Sequence, residues 1–233
     1  MKSKLIGIIG AMDIEVNEII SAMTDKEEKS ISSVKFVKGK LFGKDIVVAK
    51  CGIGKVFAAI CAQTMILEYK PSVIINTGVA GSLEKGFEVL DVAVATSVVQ
   101  HDMDTSAIGD PRGLISGINV IYIDTCKEIT SALKKACESI RCNYKEGVVA
   151  SGDKFMADPG EKKAINTEFG AVACEMEGAS IGHVCYVNGV PFGVIRAISD
   201  GDGAGMDYME FAPKAAMQST AIVKEFIKIF GEV

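Results

Sequence analysis

Residues 45–76, DIVVAKCGIGKVFAAICAQTMILEYKPSVIIN, decide the fold class. Asp45–Lys50 reads as a strand, and Gly52-Ile53-Gly54-Lys55 then opens a helix. That helix runs over Lys55–Tyr69, and Pro71 marks its end. Val73–Asn76 is a short, very apolar strand that leads into Thr77-Gly78. Strand, helix, strand is the repeating unit of an α/β sheet.

The same alternation continues on both sides. Upstream, Leu5–Gly10 reads as a buried strand, followed by a helix over about Asp13 to Met23. Val34–Phe42 pairs with Asp45–Lys50 around Gly43-Lys44, a hairpin signal. Downstream, strands are expected at Val92–Val99, Gly147–Ala150, Ala171–Cys174 and Phe192–Ile198. Helices are expected at 126–140, Glu161–Phe169, Gly178–Val187 and about Met209 to Phe230. Residues 101–117, with Gly, Pro and polar side chains, form the one long loop. Strands separated by helices imply a largely parallel or mixed sheet covered on both faces. No linker, repeat or low-complexity segment interrupts the pattern, so a single domain over 1–233 is expected.

The chain has 233 residues, 48% apolar and 24% charged, enough for one large core. Mean hydropathy is +0.29, which points to well-buried helices or a covered interface. A net charge of −5 leaves no nucleic-acid footprint. The seven cysteines form no Cys-x-x-Cys and are odd in number, which argues against a disulfide framework and fits a reducing cytoplasm. Met1-Lys2-Ser3-Lys4 and the apolar run after it briefly resemble a signal peptide. Asp13 and Glu15 follow where small cleavage-site residues belong, so the run is read as the first strand. No segment approaches the ~18 apolar residues of a membrane span.

Three stretches place acids beside strand ends: Gly10-Ala11-Met12-Asp13-Ile14-Glu15, Cys174-Glu175-Met176-Glu177 and Arg196-Ala197-Ile198-Ser199-Asp200. Acids at strand ends of such a sheet converge on one crevice. A protonated and an ionised carboxyl side by side suit cleavage of a glycosidic bond. Each stretch also has a plainer reading. Glu177 could serve a helix N-terminus, and Arg196 with Asp200 could be a simple ion pair. Three acids and one Arg at one crevice leave a surplus of carboxylate, which should push one pKa up. Gly52-Ile53-Gly54-Lys55 is either a phosphate cradle or a tight turn. Asn76-Thr77-Gly78-Val79-Ala80-Gly81 is either a turn or a flat ligand surface. His183 reads as a core residue. His101-Asp102-Met103-Asp104 lacks metal-ligand spacing, so no metal is expected.

Six stretches together resemble the bacterial 5′-methylthioadenosine/S-adenosylhomocysteine nucleosidases. They are Ile8-Ile9-Gly10-Ala11-Met12, Gly52-Ile53-Gly54-Lys55-Val56, Ile74-Ile75-Asn76-Thr77-Gly78, Ser151-Gly152-Asp153, Glu175-Met176-Glu177 and Arg196-Ala197-Ile198-Ser199-Asp200. The resemblance covers nearly the whole chain in the same order. It implies a nucleoside phosphorylase-like fold, a three-layer α/β/α sandwich around a mixed sheet. It also implies a small-molecule nucleoside substrate, no cofactor, and a homodimer whose neighbour closes part of the pocket. The activity implied is hydrolysis of the N-glycosidic bond, releasing adenine and a 5-thioribose in methionine salvage and methyl-cycle recycling.

By position, the resemblance makes Glu15 the base that activates water and Asp200 the acid that protonates adenine N7. Glu177 and the Met176 backbone would hold the ribose hydroxyls. Phe155 would stack on adenine, with the Met156 backbone on its edge and Gly81 close by. Arg196 would orient Glu15 and the water. Met12, Ile53 and Tyr208 would line the ribose and alkylthio end. The acid would owe its proton to burial beside other carboxylates. Val79 stands where many members have Ser, so one hydrogen bond near the acid is either missing or supplied by Ser199. Cys51 replaces a frequent Ser. Thr105 and Ile108 are less bulky than expected, implying a roomier alkylthio pocket. The 202–207 loop, short and Gly-rich, is expected to be mobile.

Two rivals remain on the sequence. A phosphorylase on the same fold would need a phosphate clamp built from arginines. Only Arg112, Arg141 and Arg196 are present. A non-catalytic nucleoside-binding module would need the pocket without the full acid set.

Overall fold

The computed structural model describes residues 5–201 and 205–231. Its frame is a ten-stranded mixed sheet. β1 (Ile6–Gly10) is buried along its whole length between two parallel neighbours, β4 (Lys44–Lys50) and β5 (Val73–Ser82). A strand covered on both faces needs an unbroken apolar run, which Ile-Gly-Ile-Ile-Gly supplies. β3 (Val34–Leu41) forms the expected hairpin with β4. β2 (Thr24–Ile31) extends that hairpin at the sheet edge and was not foreseen. Its sequence, Thr-Asp-Lys-Glu-Glu-Lys-Ser-Ile, shows no apolar alternation because almost none of it is covered. Lysines and glutamates on such an edge discourage pairing with other chains.

β5 pairs in parallel with β10 (Phe192–Asp200), and β10 pairs antiparallel with β6 (Val92–Gln100). β6 pairs with β8 (Tyr144–Ser151), β8 with β9 (Ala171–Glu175), and β9 returns to β5 at Gly81 and Ser82. These five strands therefore close a ring, from which β1, β4, β3 and β2 extend as an open sheet. A three-residue strand, β7 (Tyr122–Asp124), adds to β6 between the expected 101–117 loop and the helix expected from residue 126. β5 is longer than the expected Val73–Asn76. It runs fully buried through Gly81, so that stretch is strand and not a turn.

Helices cover both faces. α2 (Lys55–Tyr69) and α5 (Gly178–Asn188) pack Ala58, Cys61, Met65 and Ile181 into one core. α1 (Asp13–Ala22), α3 (Lys127–Ser139) and α6 (Gly205–Ile229) pack Val16, Ile19, Leu133, Val223 and Phe226 into a second core. α4 (Pro159–Phe169) seats Ile165 and Phe169 against β8 and β9. Residues 202–204 of the expected mobile loop lie outside the described residues; from Gly205 onward the chain is helical. Among the described residues no helix is long and apolar enough to cross a membrane.

Candidate active site

The ends of β1, β9 and β10 and the second half of β5 surround a cavity of about 520 Å³, ample for a nucleoside-sized ligand. Glu15, at the third position of α1, is almost wholly buried. Its Oε2 accepts from the N–H of Ala11 (2.6 Å) and Met12 (2.9 Å), and its Oε1 accepts from the N–H of Val79 (3.1 Å). The bond from Met12 is half of a capping box, so the helix start itself fixes this side chain. Burial raises the pKa of Glu15 above the ordinary value, against the lowering pull of Arg196 and the three N–H donors.

Arg196, on β10, is completely enclosed. It donates to Glu175 and, at 2.5 Å, to Asn76 Oδ1, and lies 3.5 Å from Glu177 Oε2. It makes no hydrogen bond to Glu15. The two side chains meet instead over Gly78, where any Cβ would overlap Arg196 Nη1 and Glu15 Oε1. Arg196 is thus the cation of a glutamate cluster, and the simple pair with Asp200 is absent.

Glu175 serves the start of α5, accepting from the N–H of Glu177 and Gly178 at 2.9 and 2.8 Å. That frees Glu177 from helix capping. Its Oε1 accepts from Gly54 N (2.9 Å), joining α5 to the start of α2. Burial and then the neighbouring Glu175 push Glu177 up to about 7. The next N–H of the Gly52–Lys55 turn, that of Lys55, is held by Asp153 Oδ1 at 2.8 Å. Carboxylates of the chain itself fill the donors a phosphate would have used.

Asp200 is buried at the end of β10. Ser199 Oγ donates to its Oδ1 at 3.0 Å, the second of the two alternatives that Val79 leaves open. Its charged partner is not another carboxylate. Lys162 of α4 donates to Asp200 Oδ2 at 2.9 Å, with both side chains almost fully buried. Gly81 makes room for the pair: a Cβ there would come 2.9 Å from Oδ2.

Met12, Ile53, Phe155, Met176 and Tyr208 line the same cavity. The Phe155 and Tyr208 rings meet edge to face at 5.3 Å, and the Tyr208 hydroxyl donates to Met12 Sδ at 3.3 Å. Met156 is the exception among the expected residues. Its side chain is buried in the core beside Ile165 and Phe169, so only its backbone could serve a ligand. Thr105 and Ile108 do not line this cavity. Thr105 donates to Asp110, and Ile108 is 82% exposed. His183 is half-buried on α5 and meets Gln100 outside the cavity.

The sequence profile of the phosphorylase superfamily matches residues 5–228. The 5′-methylthioadenosine/S-adenosylhomocysteine nucleosidase of Actinobacillus succinogenes is 41% identical over 221 residues, 94% of this chain and 96% of that one. The chain belongs to this nucleosidase family. A Neisseria meningitidis nucleosidase crystallised with methylthio-immucillin-A matches with a TM-score of 0.93 and 33% identity, covering 97% of this chain and 99% of that one. The futalosine hydrolase of Helicobacter pylori matches with a TM-score of 0.92 and 38% identity, covering 97% of each chain.

One charged residue beside this nucleosidase-family pocket escaped the sequence reading. Lys162 carries no motif, but it shares a helix face with Ile165 and Phe169 at spacings of three and seven. A lysine on the apolar face of a helix is a candidate for a buried pair. Asn76, which receives Arg196 and donates to Ile9 O at 3.0 Å, escaped for a different reason: it was read only as part of a run of small residues.

Proposed function

We propose that the protein hydrolyses the N-glycosidic bond of 5′-methylthioadenosine and S-adenosylhomocysteine, releasing adenine and the 5-thioribose. The observation that carries hydrolysis over phosphorolysis is the disposition of charge. Among the described residues lining the cavity the one cation is Arg196, and glutamates occupy it. Gly54 N and Lys55 N are likewise taken. Among these described groups no free cation or N–H is left to clamp a phosphate, whereas water needs only a base.

Glu15 is that base. Fixed by three N–H groups and lifted by burial, it takes a proton from water more readily than an exposed carboxylate would. Asp200 gives its proton to adenine N7, so that adenine departs neutral. Glu177 faces the ribose hydroxyls with the Met176 backbone. As the C1′–N9 bond stretches, Glu177 in its ionised form stabilises the positive charge that develops on the sugar. Phe155 lies on the adenine face, with Gly81 and the Met156 backbone at its edge. Met12, Ile53 and Tyr208 receive the alkylthio group. Water attacks from the face opposite adenine, so the first-formed sugar has the inverted anomeric configuration.

The functional unit is a homodimer. Val56, Phe57, Ile60 and Leu67 form an exposed apolar stripe along α2, continued by Tyr186 and Val187 on α5. Ile53 is 54% exposed at the head of this stripe and also lines the cavity, so a second copy seated there covers the pocket mouth. Seven free thiols suit the cytoplasm.

Asp200→Asn separates the enzyme from a binding module. Turnover falls by about 10²–10⁴-fold while an adenine nucleoside analogue still binds. Unchanged turnover in that variant would remove Asp200 from the mechanism.

A further inference from the structure

We propose that Lys162 is the positioning residue of the leaving-group acid, fixing Asp200 and balancing the charge it acquires when adenine N7 takes its proton. This deepens the reading above and rests on Asp200 being that acid. Lys162 sits in the first turn of α4, whose start is set by Pro159 and by Asp158, which accepts from Glu161 N. Its Nζ donates to Asp200 Oδ2 at 2.9 Å and to Gly201 O at 2.6 Å, with the lysine 4% exposed. With Ser199 on Oδ1, the two bonds fix the plane of the carboxyl group.

The placement divides two cavities. Asp200 and Gly81 face the nucleoside pocket. Lys162 and Gly201 face a second cavity of about 660 Å³, lined also by Lys163 and Asn166. The ammonium thus reaches the acid from behind without occupying the purine site. Gly81, with no Cβ, is what lets the pair approach β5.

The chemistry needs such a partner. In the bond-breaking step the C1′–N9 electron pair passes to the purine, and N7 takes the proton of the Asp200 carboxyl. Asp200 is left as a buried carboxylate, a state that is costly unless a cation is beside it. Lys162 is not the proton donor in this step. Water attacking C1′ gives its proton to Glu15; between turnovers Glu15 releases that proton to solvent and Asp200 regains one, so charge and atoms balance. The ammonium and the Ser199 hydroxyl hold the carboxyl group from opposite ends, so its proton-bearing edge keeps one orientation toward the purine.

The test pairs two substrates with two variants. The substrates are 5′-methylthioadenosine and a 4-nitrophenyl riboside with the same 5-methylthio group, whose leaving group needs no proton. Lys162→Met is expected to lower kcat on the nucleoside by about 10–100-fold while leaving the nitrophenyl substrate within about threefold. Equal loss on both substrates overturns the proposal. Lys162→Gln keeps a neutral N–H donor on a side chain one atom shorter, and gives the same readouts should the methionine variant be unstable. Asp200→Asn is measured alongside. Selective loss on the nucleoside keeps Asp200 as the acid whatever Lys162 does. Equal loss there removes both assignments.

Discussion

The N–H of Val79 donates to Oε1 of Glu15 across 3.1 Å, tying the start of α1 to the middle of β5. With Ala11 and Met12 on the other oxygen, the carboxyl group is positioned before any ligand arrives. Such preorganisation is what a base requires. Glu15→Gln is expected to lower kcat by about 10²–10⁴-fold with little change in analogue binding. Because burial raises this pKa, the acidic limb of kcat/KM in the unaltered protein should lie above the ordinary value of 4.5. A pH–rate profile checks both the limb and its loss in the variant.

Glu177 links the site to stability. Its pKa rises from 4.5 to about 7 on folding, so the folded state binds more protons than the unfolded state between those values. The stability this confers is full below about 4.5 and is lost as pH rises through about 7. Glu177→Gln does not titrate. Relative to the unaltered protein it should gain up to about 3 kcal/mol between pH 4.5 and pH 8, while losing activity. Denaturant unfolding at the two pH values measures the difference; a gain in the opposite direction would show that Glu177 is not lifted by burial.

Arg196 holds Glu175, Glu177 and Asn76 together. Its removal leaves two buried carboxyl groups without their cation. Arg196→Met is therefore expected to destabilise the fold by about 3–5 kcal/mol. Arg196→Lys should recover only part of this, since one ammonium cannot reproduce the planar fork. Melting temperatures of the two variants decide it.

Gly81→Ala tests the crowding around the acid. The new methyl group would meet the end of the Asp200 side chain and not backbone, so the fold can accommodate it. The expected result is a Tm within a few degrees of the unaltered protein and at least a roughly tenfold lower kcat. Full activity would mean that Asp200 can shift without consequence.

Phe57 is 52% exposed near the head of the α2 stripe. Phe57→Lys should convert a dimer to a monomer in sedimentation and raise KM, because the pocket mouth beside Ile53 loses its cover. A variant that stays dimeric places the interface elsewhere.

Much of this architecture is legible in the chain because burial writes itself as apolar runs. The β1, β4, α2 and β10 segments are read within a residue or two. The exceptions have physical causes. β2 is nearly uncovered, so selection for apolar alternation is absent. β5 continues past Asn76 through Thr77, Gly78 and Gly81, small or polar residues that look like a turn until their buried neighbours are known. The site was legible where acids follow strands, as at Glu15, Glu177 and Asp200. The partners were not. Only the fold reveals that Arg196 belongs to the glutamates and Lys162 to Asp200, because the second pairing brings together residues 38 positions apart.

The most direct test of the central claim is product analysis with 5′-methylthioadenosine, with and without inorganic phosphate. Adenine and free methylthioribose formed at the same rate in both is the expected result. Adenine formed only with phosphate, together with a sugar 1-phosphate, would contradict it.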